Sequence, residues 1–572
     1  MRPSSWILYF LLTAALPLGA EEGAIFAPAS IYRPVTAENG MIACAERHAA
    51  EAAVAVLQEG GNAMDAAVTA AFTMAVTVPR AGNLAGGGFL LHHDASAAET
   101  TALDFRETAP AAATEEMFLD AAGNPDPRKS RFTGLACGIP GTVAGLAEAL
   151  ASQGTISLER AVRPARRLAA NGFTVDPALA ADLASAFADG RLDRAARRVF
   201  GKADGEPLAA GERLVQPALA ETLGQIAEKG AEGFYSGLVA QNLVATVNDS
   251  GGRWTLDDLA DYTPVWRKPV AGSFAGTTIA SMPPPSSGGV HLLQMLQLLE
   301  EFPLADWGPN SSQSVHILVE VMKRAYADRS RYLGDPDFVE VPVAEILSED
   351  YKDRVFKRLN TIMPTASADI RPGRLPELPE ESPETTHLSV VDAQGNAVAL
   401  TYTLNFSFGA GIFASKAGVL LNNEMDDFSA KPGTANAYGL IGGAANAVAP
   451  GKRMLSSMSP TLVLRDGEVF LVTGSPGGSR IITTVLQVVL NVLVHEMNIA
   501  EAHHTPRIHH QWLPDVLQLE RGFPADTLRT LRAMGYRIQK DRTLGAANSI
   551  LRREGLLRGS ADPRRAGVAL GY

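Results

Sequence analysis

Residues 383–392 read PETTHLSVVD, and here a proline-rich polar stretch passes directly into a β-strand pattern. A threonine hydroxyl is a weak nucleophile unless a base lies beside it. The α-amine of the same residue is such a base, but it exists only if the chain is cut before that residue. Residues 360–384 are polar and lack an apolar period, which predicts an exposed loop that is accessible to cleavage. The sequence therefore predicts self-cleavage between Glu384 and Thr385, with Thr385 as the nucleophile.

The segment that follows the junction has a β pattern. Residues 388–392 and 397–403 flank a turn with the sequence AQGN, and residues 460–464 and 469–473 flank a second turn, RDGE. These patterns predict two hairpins. The second hairpin leads through the glycine-rich residues 474–480 into a long apolar helix over 481–494. Hairpins that alternate with apolar helices predict sheets covered by helices.

The part of the chain before the junction is mostly helical in pattern. Residues 40–78 are alanine-rich with apolar residues at helical spacing, and the sequence GGN at 60–62 predicts two helices joined at a glycine. A glycine turn at 86–88 enters a buried strand, and a second strand over 102–107 places Arg106 at its end. Residues 141–151 and 159–171 read as amphipathic helices.

Composition sets the class of protein. The chain has 572 residues, 46% of them hydrophobic and 20% charged, which predicts two large units or one very large multilayer domain. The net charge is −12 and the basic residues are scattered, which argues against a nucleic-acid partner. The two cysteines, Cys44 and Cys137, have no metal-type spacing; pairing and burial as free thiols both remain open.

The N-terminus has the order of a secretory signal: a basic start, an apolar run over residues 6–18, small residues and then two glutamates. The alternative is a membrane anchor, but the run is shorter than the roughly 20 residues that span a bilayer. We expect a signal peptide over residues 1–20 and an exported protein, periplasmic or secreted.

Five segments after the junction share small hydroxyl residues, carboxylates and glycines at strand ends or in loops; they are residues 385–387, 401–405, 421–428, 455–460 and 474–480. Each alone has a structural explanation, such as a strand, a turn or a helix cap. Together, and in this order, they resemble the small subunit of γ-glutamyltransferases, also called glutathione hydrolases, of the N-terminal nucleophile hydrolase superfamily. Motifs in the first half extend the resemblance over nearly the whole chain; they are residues 59–63, 86–88, 103–107, 138–143, 282–289 and 326–329.

This resemblance implies an α+β fold, a four-layer αββα sandwich formed jointly by a large subunit, residues 21–384, and a small subunit, residues 385–572. It implies that the freed α-amine of Thr385 is the general base, that Thr403 orients the nucleophile, and that the backbone N–H groups of Gly477 and Gly478 bind the oxyanion. A phosphate loop is the rival for the glycine-rich turn, but the turn lacks the lysine and spacing of a P-loop.

A γ-glutamyl donor carries an α-carboxylate and an α-ammonium, so its pocket needs donors on one side and acidic acceptors on the other. The resemblance assigns Arg106, Ser456 and Ser457 to the carboxylate. It assigns Asn405, Glu424 and Asp427 to the ammonium, with the note that some relatives have glutamine at the position of Glu424. Residues 432–443 resemble a lid loop in which Tyr438 screens the substrate. Without the resemblance, Arg106 reads as an ordinary surface ion pair.

The histidine pairs at 503–504 and 509–510 suggest a metal site, but they lack a cysteine or carboxylate partner at ligand spacing. We therefore expect no metal and no cofactor.

The resemblance implies a self-cleaving enzyme that takes the γ-glutamyl group from glutathione or a related donor onto Thr385. The group then passes to water or to the amine of an amino acid or dipeptide. Two alternatives remain: a cephalosporin or glutaryl acylase on the same scaffold, and a non-catalytic exported binding protein whose motifs serve packing.

Overall fold

The computed structural model of the chain describes residues 31–370, 385–540 and 542–572. The predicted signal peptide and Glu384 lie outside the described residues.

The strands in the described residues range from two to eight residues. In chain order they are β1 (Val35–Ala37), β2 (Met41–Cys44), β3 (Gly87–Asp94), β4 (Glu99–Phe105), β5 (Phe173–Thr174), β6 (Arg213–Leu214), β7 (Val265–Arg267), β8 (Val270–Phe274), β9 (Thr277–Ser281), β10 (Thr386–Val391), β11 (Ala397–Thr403), β12 (Phe413–Ala414), β13 (Val419–Leu420), β14 (Thr461–Arg465), β15 (Glu468–Thr473), β16 (Ile508–His509), β17 (Leu517–Leu519), β18 (Ile538–Gln539), β19 (Asn548–Arg553), β20 (Leu556–Ala561) and β21 (Val568–Gly571).

The α-helices of the same residues lie mostly before the junction. They are α1 (Arg47–Gln58), α2 (Ala63–Thr77), α3 (Pro127–Phe132), α4 (Thr142–Gln153), α5 (Leu158–Asn171), α6 (Pro177–Ala188), α7 (Arg194–Phe200), α8 (Pro217–Lys229), α9 (Glu232–Tyr235), α10 (Gly237–Asp249), α11 (Leu256–Ala260), α12 (Gly288–Leu299), α13 (Leu304–Trp307), α14 (Ser312–Tyr332), α15 (Val343–Ile346), α16 (Glu349–Phe356), α17 (Ile481–Leu493), α18 (Ile499–His504) and α19 (Ala525–Ala533). Short 3₁₀ turns cover Gly134–Ala136, Ser367–Asp369, Glu424–Asp427, Ala444–Asn446 and Gly478–Arg480.

Two seven-stranded antiparallel sheets dominate this α+β fold. The first sheet has the order β1-β20-β19-β15-β14-β9-β8, and the second has the order β21-β2-β10-β11-β3-β4-β7. Each sheet contains strands from both sides of the predicted cut. The segments before and after the junction therefore form one set of hydrogen-bond ladders.

Helices cover the sheets through two hydrophobic cores. In β3, Leu90 belongs to the core that α1 and α2 form on the second sheet, whereas Phe89 and Leu91 belong to the core shared with the first sheet. This alternation is that of a strand with apolar contacts on both faces. Helix α2 is buried along its whole length and begins with a capping box between Asn62 and Asp65. Among the described residues, no helix has both the length and the apolar character needed to cross a bilayer.

The predicted hairpins are confirmed. Strand β10 pairs with β11 in register from Thr386↔Tyr402 to Val391↔Ala397, and β14 pairs with β15. Asp392 closes the first turn by accepting hydrogen bonds from the backbone N–H groups of Gln394 and Asn396. Its second oxygen accepts from the N–H of Ala63, 2.9 Å away, so the turn also contacts the N-terminus of α2.

One part of the helical prediction for residues 40–78 is wrong. Residues 41–44 form strand β2, which pairs with β10 and β21. Both partners lie far away in the sequence, so the local pattern could not reveal the strand. The two helices on either side of residues 60–62 are confirmed as α1 and α2. Cys44 and Cys137 are buried free thiols.

Candidate active site

The predicted site residues meet in one pocket beside the start of β10. The pocket is lined by Arg106, Thr385, Thr403, Asn405, Glu424, Asp427, Tyr438, Leu440, Ser456, Ser457, Met458, Gly478, Ser479 and Ile481. Of the residues that the sequence assigned to catalysis and donor binding, Gly477 is the one described residue that is not part of this lining, and it directly precedes Gly478. Glu384 is not described.

Strand register explains why Thr385 faces Thr403. Thr386 pairs with Tyr402, so Thr385, one residue earlier, lies across from Thr403, one residue later. Both threonines are buried, and both line the pocket. The Oγ1 of Thr403 accepts a hydrogen bond of 2.8 Å from the N–H of Asn405. The hydroxyl predicted to orient the nucleophile is thus itself held by the backbone.

The glycine-rich turn requires glycine for conformational reasons. Gly477 has a φ of 140° and Gly478 has a φ of 56°. At such positive φ values, the backbone of a residue with a Cβ would be strained. A Cβ on Gly478 would lie 2.6 Å from the ring of Tyr438. No described residue accepts a hydrogen bond from the backbone N–H of either glycine. These N–H groups are therefore available to a developing oxyanion.

Arg106 lies at the centre of a buried charge cluster. Its Nη2 is 2.6 Å from Asp427, its Nη1 contacts Glu424 and is 3.7 Å from Glu107, and its Nε donates to the carbonyl of Met454. The guanidinium is 1% exposed, so the alternative of a surface ion pair is wrong. Arg106 was assigned to the donor carboxylate, but it contacts the two acids assigned to the ammonium, because a buried cation is stabilised by counter-charges.

The carboxylates of this cluster resist ionisation. Burial raises the pKa of Glu424 to about 8, although Arg106 opposes this shift. Burial also raises the pKa values of Asp427 and Glu107, and that of Glu107 lies well above its usual range. Neither oxygen of Glu107 has a hydrogen-bond partner in the described residues, and Oε2 of Glu424 has none either. We infer that the cluster holds at least one proton at neutral pH, because three acids surround one cation.

The two predicted carboxylate-binding serines lie on a segment that is held by residues 283–289. The N–H of Ser456 donates to the carbonyl of Pro285, and the N–H of Ser287 donates to the carbonyl of Ser456, each at 2.9 Å. The hydroxyl of Ser286 donates to the carbonyl of Met458. The stiff proline-serine-glycine stretch thus forms a backbone support for the pocket wall. Gly288 allows this approach, because a Cβ there would lie 2.2 Å from the hydroxyl of Ser459.

Arg329 is a second buried guanidinium beside this wall. Its Nε donates to Ser287 Oγ at 2.9 Å and its Nη2 donates to Ser457 Oγ at 3.2 Å. Burial lowers its pKa to about 10, so it remains charged at neutral pH. Residues 326–329 are known from the sequence only as a motif of the family resemblance, and no local pattern assigned Arg329 to the site.

The predicted lid residue Tyr438 is buried over the pocket. Its hydroxyl donates to the backbone carbonyl of Asn405 at 2.9 Å and to the side-chain oxygen of the same residue. Asn405 has a φ of 74°, a conformation that asparagine tolerates better than most residues. Gln511 donates to the carbonyl of Tyr438 at 2.9 Å. The lid is therefore held by Asn405, which lines the pocket, and by Gln511, which does not.

Asn436 joins the lid to the charge cluster, a role that the sequence did not indicate. Its amide nitrogen donates to Asp427 Oδ1 at 3.1 Å. Its amide oxygen accepts from the backbone N–H groups of Tyr438, at 2.9 Å, and Leu440, at 3.1 Å. One side chain thus contacts a predicted donor-binding acid and the lid backbone at the same time.

The histidines have protein partners. His509 contacts Thr483 and Gln511, His503 contacts Ser549, and His510 contacts Asp515. In the described part of the chain, no group of three or more histidine, cysteine, aspartate or glutamate residues has an arrangement suited to a metal ion.

Comparisons with known proteins identify a family for the chain. The family described as Gamma-glutamyltranspeptidase matches residues 49–572. The chain is 50% identical over 535 residues to the glutathione hydrolase proenzyme of Escherichia coli (strain K12), a match that covers 93% of this chain and 92% of that protein.

Two solved structures are also similar. The γ-glutamyltranspeptidase of Helicobacter pylori is 44% identical, with a TM-score of 0.56, and the match covers 57% of this chain and 94% of that one. The cephalosporin acylase of Bacillus halodurans is 25% identical, with a TM-score of 0.82, and the match covers 99% of both chains.

Proposed function

The chain belongs to the gamma-glutamyltranspeptidase family, and from this premise we propose that Thr385 is the nucleophile for both its maturation and its turnover. The protein is a glutathione hydrolase and γ-glutamyltransferase that is made as a proenzyme. The observation that carries the assignment of Thr385 is its place in one pocket with Arg106, Asp427 and Ser457.

Maturation and turnover use the same hydroxyl. In maturation, the Oγ of Thr385 attacks the carbonyl of Glu384, the peptide C–N bond breaks, and water hydrolyses the resulting ester. The cut separates a large subunit, residues 21–384, from a small subunit, residues 385–572. It also frees the α-amine, whose reference pKa of about 7.7 to 8.0 suits a general base near neutral pH.

In turnover, the α-amine takes the proton of the Thr385 hydroxyl while its oxygen attacks the γ-amide carbon of the donor. The N–H groups of Gly477 and Gly478 stabilise the oxyanion, a type of contact whose loss costs other enzymes about 10²–10³ in rate. The amine then returns the proton to the leaving nitrogen. Water or an acceptor amine attacks the γ-glutamyl ester, and Thr385 regains its proton.

The donor's α-substituents define the rest of the pocket. We assign its ammonium to Asn405, Glu424 and Asp427. We assign its carboxylate to Arg106, Ser456 and Ser457. Thr403 orients the nucleophile, and Tyr438 screens the bound donor from solvent. Glutathione fits this description because its γ-glutamyl end carries both charges, and amino acids or dipeptides are the proposed acceptors.

The architecture supports a four-layer αββα arrangement of the N-terminal nucleophile hydrolase type. The face of β3 that bears Leu90 packs under α1 and α2, and the opposite face contributes to the core between the sheets. We also propose export to the periplasm or medium, on the basis of the signal-like pattern in residues 1–20. Fractionation of cells that produce the full chain would check this location.

Intact mass spectrometry with N-terminal sequencing tests the maturation step. We expect a fragment that begins Thr-Thr-His-Leu and ends at Tyr572, and turnover of γ-glutamyl-p-nitroanilide by the cut protein. The Thr385→Ala variant should remain a single chain without activity. A cut Thr385→Ala chain would show that another group performs the cleavage.

The acylase alternative differs in the donor's ammonium. A glutaryl donor has the carboxylate of a γ-glutamyl donor but no ammonium, so the acidic residues Glu424 and Asp427 favour γ-glutamyl. Asp427→Asn should weaken cleavage of γ-glutamyl-anilide and not that of glutaryl-anilide. Faster cleavage of glutaryl-anilide than of γ-glutamyl-anilide by the wild-type protein would support acylase activity. A stable uncut wild-type chain would support a non-catalytic binding protein.

A further inference from the structure

Two buried arginines with different charge environments lie at the pocket: Arg106 lines it, and Arg329 lies behind its wall. Arg106 contacts Glu424 and Asp427 and lies 3.7 Å from Glu107, so acidic side chains already balance its charge. Arg329 is also buried, but no carboxylate of the described residues lies within 4 Å of its guanidinium. Buried charges are normally paired. Asp427 acts on the charge of Arg329 only from beyond ion-pair distance. A buried cation behind a pocket wall that contacts no carboxylate directly therefore points to an anionic ligand.

The hydrogen bonds of Arg329 lead to both predicted carboxylate-binding serines. Nη2 donates directly to the hydroxyl oxygen of Ser457. Nε donates to Ser287 Oγ, and that hydroxyl donates to the backbone carbonyl of Ser456 at 2.8 Å. One guanidinium thus holds the segment that carries the two serines.

The direction of the bond to Ser457 matters. A guanidinium can only donate, so the Ser457 oxygen is the acceptor in this contact and its own proton remains available. The Ser457 hydroxyl donates to no described residue, and the side chain lines the pocket. Its free proton can therefore be donated to a ligand, and the adjacent positive charge strengthens that hydrogen bond for an anion.

Helix α14 supplies this arrangement. Arg329 lies in its last turn, and Tyr326, three residues earlier and hence on the same face, donates its hydroxyl proton to the carbonyl of Ser479, next to Gly478. One helix face therefore supports the serine wall and the glycine turn.

We propose that Arg329 is a positioning residue for the donor's α-carboxylate. It fixes Ser457 as a hydrogen-bond donor, and it supplies positive charge to the site, because three acids already balance the charge of Arg106. This inference rests on the proposed function and adds a residue to it. The positive charge that selects donors with an α-carboxylate is then largely the charge of Arg329, although this side chain does not line the pocket.

Competitive inhibition by three small acids tests the proposal. L-Glutamate carries both α-substituents, glutarate lacks the ammonium, and 4-aminobutyrate lacks the α-carboxylate. In Arg329→Gln, the inhibition constants of L-glutamate and glutarate should rise by about tenfold or more, as for loss of a buried charge partner. That of 4-aminobutyrate should change by less than about threefold. Equal rises for all three would overturn the proposal, because they would indicate general damage to the pocket.

Two further variants keep the test decisive if Arg329→Gln does not mature. Arg329→Lys keeps the charge but loses the forked donors, so the rise for L-glutamate should be smaller than in Arg329→Gln. Ser457→Ala leaves Arg329 in place and should raise the same two constants without affecting 4-aminobutyrate. An unchanged L-glutamate constant in Ser457→Ala would contradict the proposal.

Turnover of γ-glutamyl-p-nitroanilide by the wild-type protein separates the two levels of inference. No turnover would refute the proposed function. Turnover with unaltered selectivity in the Arg329 variants would refute only the role of Arg329.

Discussion

At the scale of single residues, the proposed binding of a zwitterionic donor depends on the charge cluster around Arg106. In the binding mode proposed above, the donor's carboxylate competes with Glu424 and Asp427 for Arg106, and its ammonium binds acids whose pKa values are raised by burial. The protonation of Glu424 therefore bears directly on donor affinity. A titratable glutamate at this position should make that affinity dependent on pH.

Glu424 gives a pH prediction with a definite sign. Its pKa is raised to about 8, so it is mostly protonated below that pH and becomes an ammonium-binding carboxylate above it. The inhibition constant of L-glutamate should fall by up to about tenfold between about pH 6.5 and about pH 9, since each pKa unit of linkage is worth at most tenfold. Glu424→Gln should flatten much of this trend.

Glutarate is the control for this titration. It has no ammonium, so the added negative charge should weaken its binding as the pH rises. The inhibition constants of L-glutamate and glutarate should be measured across the same pH range in the wild-type protein and in Glu424→Gln. This comparison distinguishes the titration of Glu424 from that of the α-amine of Thr385, which titrates in a similar range. Parallel trends for the two inhibitors would rule out Glu424 as the cause.

The residues of this site were predictable to different degrees. Thr385, Asn405 and Tyr438 lie in or beside short motifs that the family resemblance assigned to one site, and all three line one pocket. Arg329 and Asn436 were missed because their roles depend on contacts between segments. The proposed role of Arg329 depends on its hydrogen bond to Ser457, which lies in the loop before β14, and a single sequence carries no signal of that contact.

At the scale of elements, the predicted lid is attached to the pocket through a few side-chain hydrogen bonds. Residues 432–443 are held by Asn436 to Asp427 and by the Tyr438 hydroxyl to Asn405. Both contacts end on residues that we assign to the donor's ammonium. The closed position of the lid and an ordered donor site therefore depend on the same hydrogen bonds.

Loosening the lid should affect both donor affinity and the lifetime of the γ-glutamyl-enzyme. We expect Tyr438→Ala and Asn436→Ala each to raise the KM for the donor and to shorten that lifetime by roughly threefold to tenfold, because a lid that opens more often admits water. Stopped-flow measurement of the burst and of the subsequent hydrolysis reports both quantities.

Tyr438→Phe is the matched control. It keeps the ring beside Gly478 and removes only the hydroxyl that binds Asn405. An effect much smaller than that of Tyr438→Ala would assign screening to the ring, whereas an equal effect would assign it to the hydroxyl. If Tyr438→Ala changed neither donor affinity nor lifetime, the lid would have no gating role.

The elements that the sequence predicted well are those defined by local chemistry. The hairpins at β10–β11 and β14–β15 have turn residues at fixed positions, and α17 follows a glycine-rich turn with an apolar run. Strand β2 was assigned to a helical region because its strand character depends on two distant partners. The order of strands within the sheets was likewise not encoded in any local pattern.

At the scale of the whole molecule, the two sheets interleave strands from both sides of the predicted cut. In the second sheet, β10 and β11 lie between β2 and β3, which come from the first half of the chain. In the first sheet, β14 pairs with β9, and β20 pairs with β1. Cutting one bond before Thr385 breaks none of these ladders. We therefore expect the two proposed subunits to remain parts of one folded unit.

This interleaving predicts that the cut subunits separate only when the whole protein unfolds. Removing β10 and β11 would leave the buried backbone groups of β2 and β3 without partners, each at a cost of about 1–3 kcal/mol, and would divide the core that joins α2 to β11. The mature protein should therefore elute as one species in size-exclusion chromatography. In a urea titration, loss of association should coincide with loss of the far-ultraviolet circular dichroism signal.

The uncut Thr385→Ala chain is the control for the effect of the cut itself, and its unfolding midpoint should lie at or above that of the cut protein. In interleaved sheets, the strands of one subunit cannot leave without unfolding the sheets. Dissociation of the subunits at a urea concentration that leaves the secondary structure intact would therefore contradict the interleaved arrangement.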